Sequence, residues 1–152
     1  MGRDHRIHEW LYETSFKDRV SDEKLGVIGM KCQRCGKCCE DTRMELSAKD
    51  IRRLEKAGYL KEDFAQHDSE GIWRLRNSEG ICSFLDPSSR ECGVYELRPV
   101  GCSIYPINLG PEGVVVVDEA CPAGRTIDGG ERKKKGVLLR HQLRVIDADR
   151  KR

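Results

Sequence analysis

Apolar positions along this chain recur in short stretches, and each stretch predicts a small element. Over residues 47–57 Ile51 and Leu54 fall on one helical face, Ser47 stands where a hydroxyl can cap free amides, Asp50 occupies the capping-box position, and Gly58 follows as a stop. Ile72-Trp73-Arg74-Leu75-Arg76 alternates as a strand. Asn77-Ser78-Glu79-Gly80 reads as a turn, from which Ile81-Cys82-Ser83-Phe84-Leu85 returns as a second strand. A further hairpin is predicted from residues 104–109 and 114–117 across Gly110-Pro111-Glu112-Gly113, with Pro106 confining the first arm to an edge or an irregular segment. Toward the end, Leu138, Leu139, Gln142, Leu143 and Ile146 repeat at helical spacing while Arg140, Arg144 and Arg150 turn outward. The expected fold is a small, irregular, single α+β domain of short helices and hairpins. The expected division is an N-terminal extension over residues 1–28, the domain proper over 29–124, and a basic C-terminal helix or tail over 125–152.

Composition makes that domain lean. The 152 residues are 38% hydrophobic and 36% charged, so the apolar core gains from cross-links. The formal charge of +2 hides an asymmetry: residues 125–152 carry ten Lys/Arg against four Asp/Glu, which leaves the preceding 124 residues at −4. Within the tail, Arg132-Lys133-Lys134-Lys135 is suited to docking on an acidic partner, and the stripe that follows is suited to covering the domain. RNA is the less favoured partner, because no aromatic residue is interleaved among the charges.

Cross-linking chemistry is supplied by eight cysteines, four of them inside Cys32-Gln33-Arg34-Cys35-Gly36-Lys37-Cys38-Cys39, followed by Cys82, Cys92, Cys102 and Cys121. The opening residues lead into no apolar signal segment, and no stretch approaches the roughly 20 apolar residues of a membrane span. A cytoplasmic chain is therefore expected, in which thiolate–metal ligation is favoured over disulfides. The spacing bears on the metal. Cys32-x2-Cys35 lets two sulfurs converge on zinc as well as on iron, but no second Cys-x2-Cys knuckle follows to complete a zinc ribbon. Cys32-x2-Cys35-x2-Cys38 with a remote Cys121-Pro122 matches the ligand set of one 4Fe–4S cluster in bacterial-type ferredoxins. Cys39 adds a constraint, since adjacent side chains of an extended segment diverge. One partition gives Cys32, Cys35, Cys38 and Cys121 to one centre, and Cys39, Cys82, Cys92 and Cys102 to another. For Cys39 and Cys82 the alternative is burial as small apolar side chains.

The cysteine cluster, Cys82-Ser-Phe-Leu-Asp86, Cys92-Gly-Val-Tyr95-Glu-Leu-Arg98-Pro99-Val-Gly-Cys102, Tyr105-Pro106 and Cys121-Pro122 together resemble the CxxCxxCC, or YkgJ-like, family. The resemblance implies chelation of zinc or iron through the cysteines. It also brings a link to protein lysine methylation, because a related domain occurs in flagellin lysine N-methylases. Nothing in the residues independently supports methyl transfer: no Gly-rich loop joins a strand to a helix.

Other residues carry less. Arg98 is placed to offset the negative charge of a thiolate cluster or to donate to its sulfurs, the alternative being a structural ion pair. Tyr95 reads as core packing with one hydrogen bond for its hydroxyl. His5 and His8 are spaced for ligation, but near a chain end they are expected in solvent, and His67 and His141 lack a nearby acidic or cysteine partner in the sequence. The expected function is a cytosolic iron–sulfur protein with one or two clusters, carrying electrons or assisting the assembly or activation of another metalloprotein within a larger complex, with no stand-alone catalytic activity. The rivals are a structural zinc module that binds a protein, and an accessory to lysine methylation.

Overall fold

A computed structural model describes residues 30–152, so the expected N-terminal extension, with His5 and His8, lies outside the described residues. The first helix, α1 (Ala48–Lys56), forms as its residues dictate: the Ser47 hydroxyl accepts from the Asp50 amide, the Asp50 carboxylate accepts from the Ser47 amide, and Ile51 and Leu54 are buried. Gly58 follows the helix at φ +98°. A single turn of helix, α2 (Lys61–Phe64), drops Phe64 into the core and runs into β1 (Ala65–His67).

Strand β1 pairs antiparallel with β2 (Trp73–Leu75), whereas the sequence pairs the 72–76 run with residues 81–85. The difference has a simple cause. Ala65-Gln66-His67 has one short apolar side chain and carries no period-two signal. The expected second hairpin exists in reduced form, β3 (Asn77–Ser78) against β4 (Ile81–Cys82), turning at Glu79 (φ +51°) and Gly80 (φ +81°). Two positive φ angles make the tight turn that suits a hairpin's twist. After Cys82 the chain leaves the sheet, and Leu85 bridges Cys92 instead.

Pro99 caps α3 (Val100–Ile104), an element the sequence reading missed because five residues containing a glycine hold too little helical periodicity. The third hairpin joins β5 (Ile107–Leu109) and β6 (Val115–Val117), as expected, with the first arm beginning after Pro106. The long C-terminal helix α4 (Gly129–Arg150) buries Leu139, Gln142 and Ile146 and packs on α3, β5 and β6. The covering role expected of the apolar stripe is what the structure has. The preceding basic run is partly corrected: the Arg132 guanidinium donates to the Val115 carbonyl, and Lys135 is buried beside Glu131 at 3.3 Å. Of that run, Lys133 and Lys134 are both exposed and without such a partner among the described residues.

Two apolar clusters result. One gathers Leu46, Ile51, Leu54, Phe64, Leu75, Cys82, Leu85 and Val94; the other gathers Val100, Ile104, Ile107 and Leu139. Asp50 ties them together. Its fully buried carboxylate accepts from the Ser47 amide and hydroxyl, the Arg53 guanidinium, the Val100 amide and the Gln142 side chain, so α1, the start of α3 and α4 meet on one charge. Among the described residues no helix is long and apolar enough to cross a membrane.

Candidate metal centre

The cysteine-rich loop is shaped by backbone that few residues adopt freely. Arg34 and Gly36 both take positive φ, at 51° and 73°, and Lys37–Cys39 then closes as one 3₁₀ turn with the Cys39 amide on the Gly36 carbonyl at 3.0 Å. This turn corrects the expectation that Cys38 and Cys39 diverge. In a 3₁₀ turn adjacent side chains do not alternate across a strand, and the two sulfurs stand 3.9 Å apart. Either of the two can donate to the other, and Cys82 is near enough to Cys39 for their titrations to be linked.

The titration behaviour follows from that bridge. Hydrogen bonding from Cys39 lowers Cys38 to about 7 and Cys82 to about 7, against burial that pushes both up. Cys39 itself is driven strongly upward, first by its hydrogen bond to Cys38 and then by that to Cys82. The thiolate form is therefore favoured at Cys38 and Cys82 over Cys39.

The remaining cysteines come from separate elements. Cys82 ends β4, Cys92 lies in the bridge to Leu85, Cys102 stands on α3, and Cys121 closes the turn that begins at Asp118. All eight line one cavity of about 810 Å³, formed where the two apolar clusters approach, with Val94 from the first and Leu138 from the second in its wall. Within it two neighbourhoods are distinguishable by which thiols act on each other's charge. Cys92 feels Cys82 and Cys38, and Cys102 feels Cys82, Cys38 and Cys92; desolvation raises both, Cys102 the more. Cys121, raised by burial, feels Cys35 and Cys32 instead. Cys38 acts on Cys92 and Cys102 of the first group and also on Tyr105, which feels Cys121 as well.

Arg98 lines the same cavity. Its positive charge favours the thiolates of Cys38 and Cys92. It also donates to the Tyr95 carbonyl at 3.0 Å and lies 4.0 Å over the Tyr95 ring, whose other partner is Arg34 at 3.8 Å. Tyr95 is half-buried rather than part of either apolar cluster, and its ring meets two guanidiniums, one from the cysteine loop and one from the segment leading to Cys102. His67 stacks on Trp73, with ring centroids 3.6 Å apart, and takes no part in lining the cavity; nor does His141.

Residues 31–122 match the family described as CxxCxxCC, "Putative zinc- or iron-chelating domain". The chain belongs to the CxxCxxCC family. Over 95 residues it is 30% identical to an uncharacterized protein of Methanocaldococcus jannaschii, an alignment that takes in 58% of this chain and 50% of that relative, so the chain spans about half the length of the curated relative it matches. No solved structure matches. The CxxCxxCC match takes in all eight cysteines and Arg98 but stops short of α4, although Glu131, Lys134, Lys135 and Leu138 of that helix complete the cavity wall.

The donor set fits zinc or iron. All eight cysteines are free thiols, soft sulfur donors of the kind both metals accept, and they face a shared space. Among the described residues no group of three or more Cys, His, Asp or Glu side chains is already drawn to ligand distance of one point. The sulfurs are thus gathered in one cavity without being closed on a single ion.

Sequence reasoning missed the residues that position the ligands. Tyr105 donates to Asp118 at 3.0 Å, and Asp118 accepts the Ala120 amide at 2.9 Å and, through its carbonyl, the Cys121 amide at 3.2 Å. This joins the end of α3 to the turn that presents Cys121. Glu131 holds the Met30 amide at 2.9 Å, tying α4 to the entry of the cysteine loop. The Tyr105-Pro106 phrase was visible as a motif; its hydroxyl partner, 13 residues away, was not.

Gly36 provides a test of the loop. A Cβ there would meet the Arg90 carbonyl oxygen at 2.9 Å, on a backbone already at φ +73°, and Arg90 is held by an ion pair to Glu40. Gly36→Ala is expected to cost about 1–3 kcal/mol of stability and to lower metal occupancy, as read by thermal denaturation and metal analysis. Unchanged values of both would show that the loop geometry does not matter.

Proposed function

We propose that this chain is a cytoplasmic metal-cluster protein, holding iron–sulfur centres through its eight cysteines and serving electron transfer or the assembly or activation of another metalloprotein in a larger complex. The observation that carries the reading is the convergence of eight free thiols on one cavity, with the Cys38 and Cys39 sulfurs 3.9 Å apart. Cys39, Cys82, Cys92 and Cys102 would hold an inner centre against the first apolar cluster, and Cys32, Cys35, Cys38 and Cys121 an outer one. Such a cluster supplies one-electron chemistry when bound.

The residues around the thiols supply the rest. Arg98 offsets the charge on Cys38 and Cys92, which favours thiolate over thiol there. Arg34 and Arg98, both over the Tyr95 ring, tie the cysteine loop to the segment that carries Cys102. Tyr105 and Asp118 orient the Cys121 turn. Exposed Cys32 and Cys38 leave the outer sulfurs within reach of a partner.

A structural zinc site is the second reading, and one observation favours it for the inner set: Cys82 is only 3% exposed and Cys39, Cys92 and Cys102 pack against the same apolar cluster, as in a site that only stabilises a fold. Anaerobic purification separates the two. Iron with acid-labile sulfide, a brown colour and broad absorption near about 400 nm that bleaches on reduction is the expected result. A colourless protein with stoichiometric zinc and no sulfide, even after anaerobic reconstitution, would defeat the iron–sulfur reading.

A further inference from the structure

The wall of the cysteine cavity carries seven Lys/Arg side chains against three Asp/Glu. Several of these cations are already engaged: Lys135 with Glu131 at 3.3 Å, Arg34 with Glu96 at 3.8 Å, and Arg90 with Glu40. Lys31, Lys37 and Lys134 are different. All three are exposed cavity-lining residues whose ammonium groups make no hydrogen bond or ion pair among the described residues. Exposed Cys32 and Cys38 line the same cavity, so these three lysines and two solvent-reachable sulfurs share its wall.

The geometry points to an anion-binding entrance: Lys31, Lys37 and Lys134 bind a small polycarboxylate of the citrate class, and metal reaches the thiols as such an anionic complex rather than as a hydrated cation. The inference rests on the metal-binding reading for its second half only. Its first half follows from charge and size. A cation approaching through three unpaired ammonium groups meets repulsion, whereas a multivalent anion meets attraction that raises its local concentration and its rate of arrival by about 10- to 1,000-fold in charged clefts. At about 810 Å³ the cavity has the volume of a small-molecule site, within the usual range of about 300–1,000 Å³. Cys39, Cys82, Cys92 and Cys102 lie deeper in that concave space than exposed Cys32 and Cys38, where a small anion reaches them and the convex surface of a protein does not. On transfer, metal–carboxylate bonds would be exchanged for metal–thiolate bonds at the cysteines, the thiol protons would pass to water and no electron would move; a cluster would need inorganic sulfide in addition. The negative charge of the thiolates would offset the field of the lysines and favour release of the carboxylate.

The test uses the full chain, reduced and freed of metal, and reads thiol modification rates. A dianionic disulfide reagent, 5,5′-dithiobis(2-nitrobenzoate), is compared with dicationic cystamine, each normalised to a neutral model thiol. The wild type is expected to favour the dianion by about tenfold at low ionic strength and to lose that preference near 1 M salt, where the screening length falls to about 3 Å. Millimolar citrate should slow the dianion in the wild type. The combined Lys31→Gln, Lys37→Gln and Lys134→Gln variant should lose both the preference and the citrate protection with its circular dichroism unchanged. An equal charge change at exposed residues off the cavity, Lys49→Gln, Lys56→Gln and Lys133→Gln, should leave both intact. Retention of the preference in the first variant, or equal loss in both, overturns the entrance. Protection by polyglutamate but not by citrate overturns the small-anion assignment in favour of an acidic protein surface. Metal content after reconstitution is measured on the same samples: a wild type that shows the anion preference but binds no metal keeps the entrance and removes the proposed function, and one that binds metal without any anion preference does the reverse.

Discussion

Replacing Asp50 by alanine is expected to destabilise the fold by about 3–5 kcal/mol, the loss typical when one partner of a buried charged network is removed. The carboxylate is fully buried and accepts five hydrogen bonds, from the Ser47 amide and hydroxyl, Arg53, the Val100 amide and Gln142. Alanine leaves those donors facing a cavity, each orphaned donor costing about 1–3 kcal/mol where water cannot replace the acceptor. The consequence extends to the cysteines. Val100 opens α3, the helix on which Cys102 stands, so loosening its amide should lower metal occupancy as well as the denaturation midpoint. Asn at the same position keeps one acceptor oxygen and should cost less. Urea denaturation of the two variants gives the answer, and a loss below about 1 kcal/mol for Asp50→Ala would mean that the network contributes little.

The second large effect is expected from the cysteines themselves, and it is unequal. Cys82→Ser and Cys92→Ser remove sulfurs that stand within or against the first apolar cluster. Cys35→Ser removes one from the group around Cys121. Structural metal binding can be worth about 10–16 kcal/mol in small zinc domains, comparable with or larger than the net stability of about 5–15 kcal/mol that a domain has at all. Loss of an inner ligand should therefore unfold much of the chain. Cys35→Ser should lose the outer metal while keeping part of the total and most of the circular dichroism signal. Equal and complete metal loss in all three variants would mean a single centre, or two that cannot form separately.

What the sequence made legible was local. The capping box of α1 is written in four adjacent residues, Ser47 to Asp50, and it forms as read. The β5–β6 hairpin and the buried stripe of α4 were equally visible, because period and turn residues lie close together in the chain. Pairing of β2 with β1 was not, since Ala65-Gln66-His67 is a strand only by virtue of Trp73-Arg74-Leu75 beside it. The same division holds at the cysteines. Their number and order pointed to the zinc- or iron-chelating family to which the chain belongs. The contact between Cys38 and Cys39 could not be read there, because it depends on a 3₁₀ turn set by Gly36. The part of Asp50 that reaches Gln142, 92 residues away, is likewise tertiary. So is the closing of the cavity wall by α4, a helix that begins beyond the matched CxxCxxCC segment.

X-ray absorption at the metal edge of the anaerobically purified protein tests the central claim most directly, because it reads the atoms bound to the metal whichever metal is present. The account predicts a first shell of sulfur alone, at about 2.3 Å, with no light-atom ligand, and the loss of part of that shell's metal in Cys35→Ser. A first shell of oxygen or nitrogen, or a protein that binds neither iron nor zinc after reconstitution, would contradict it.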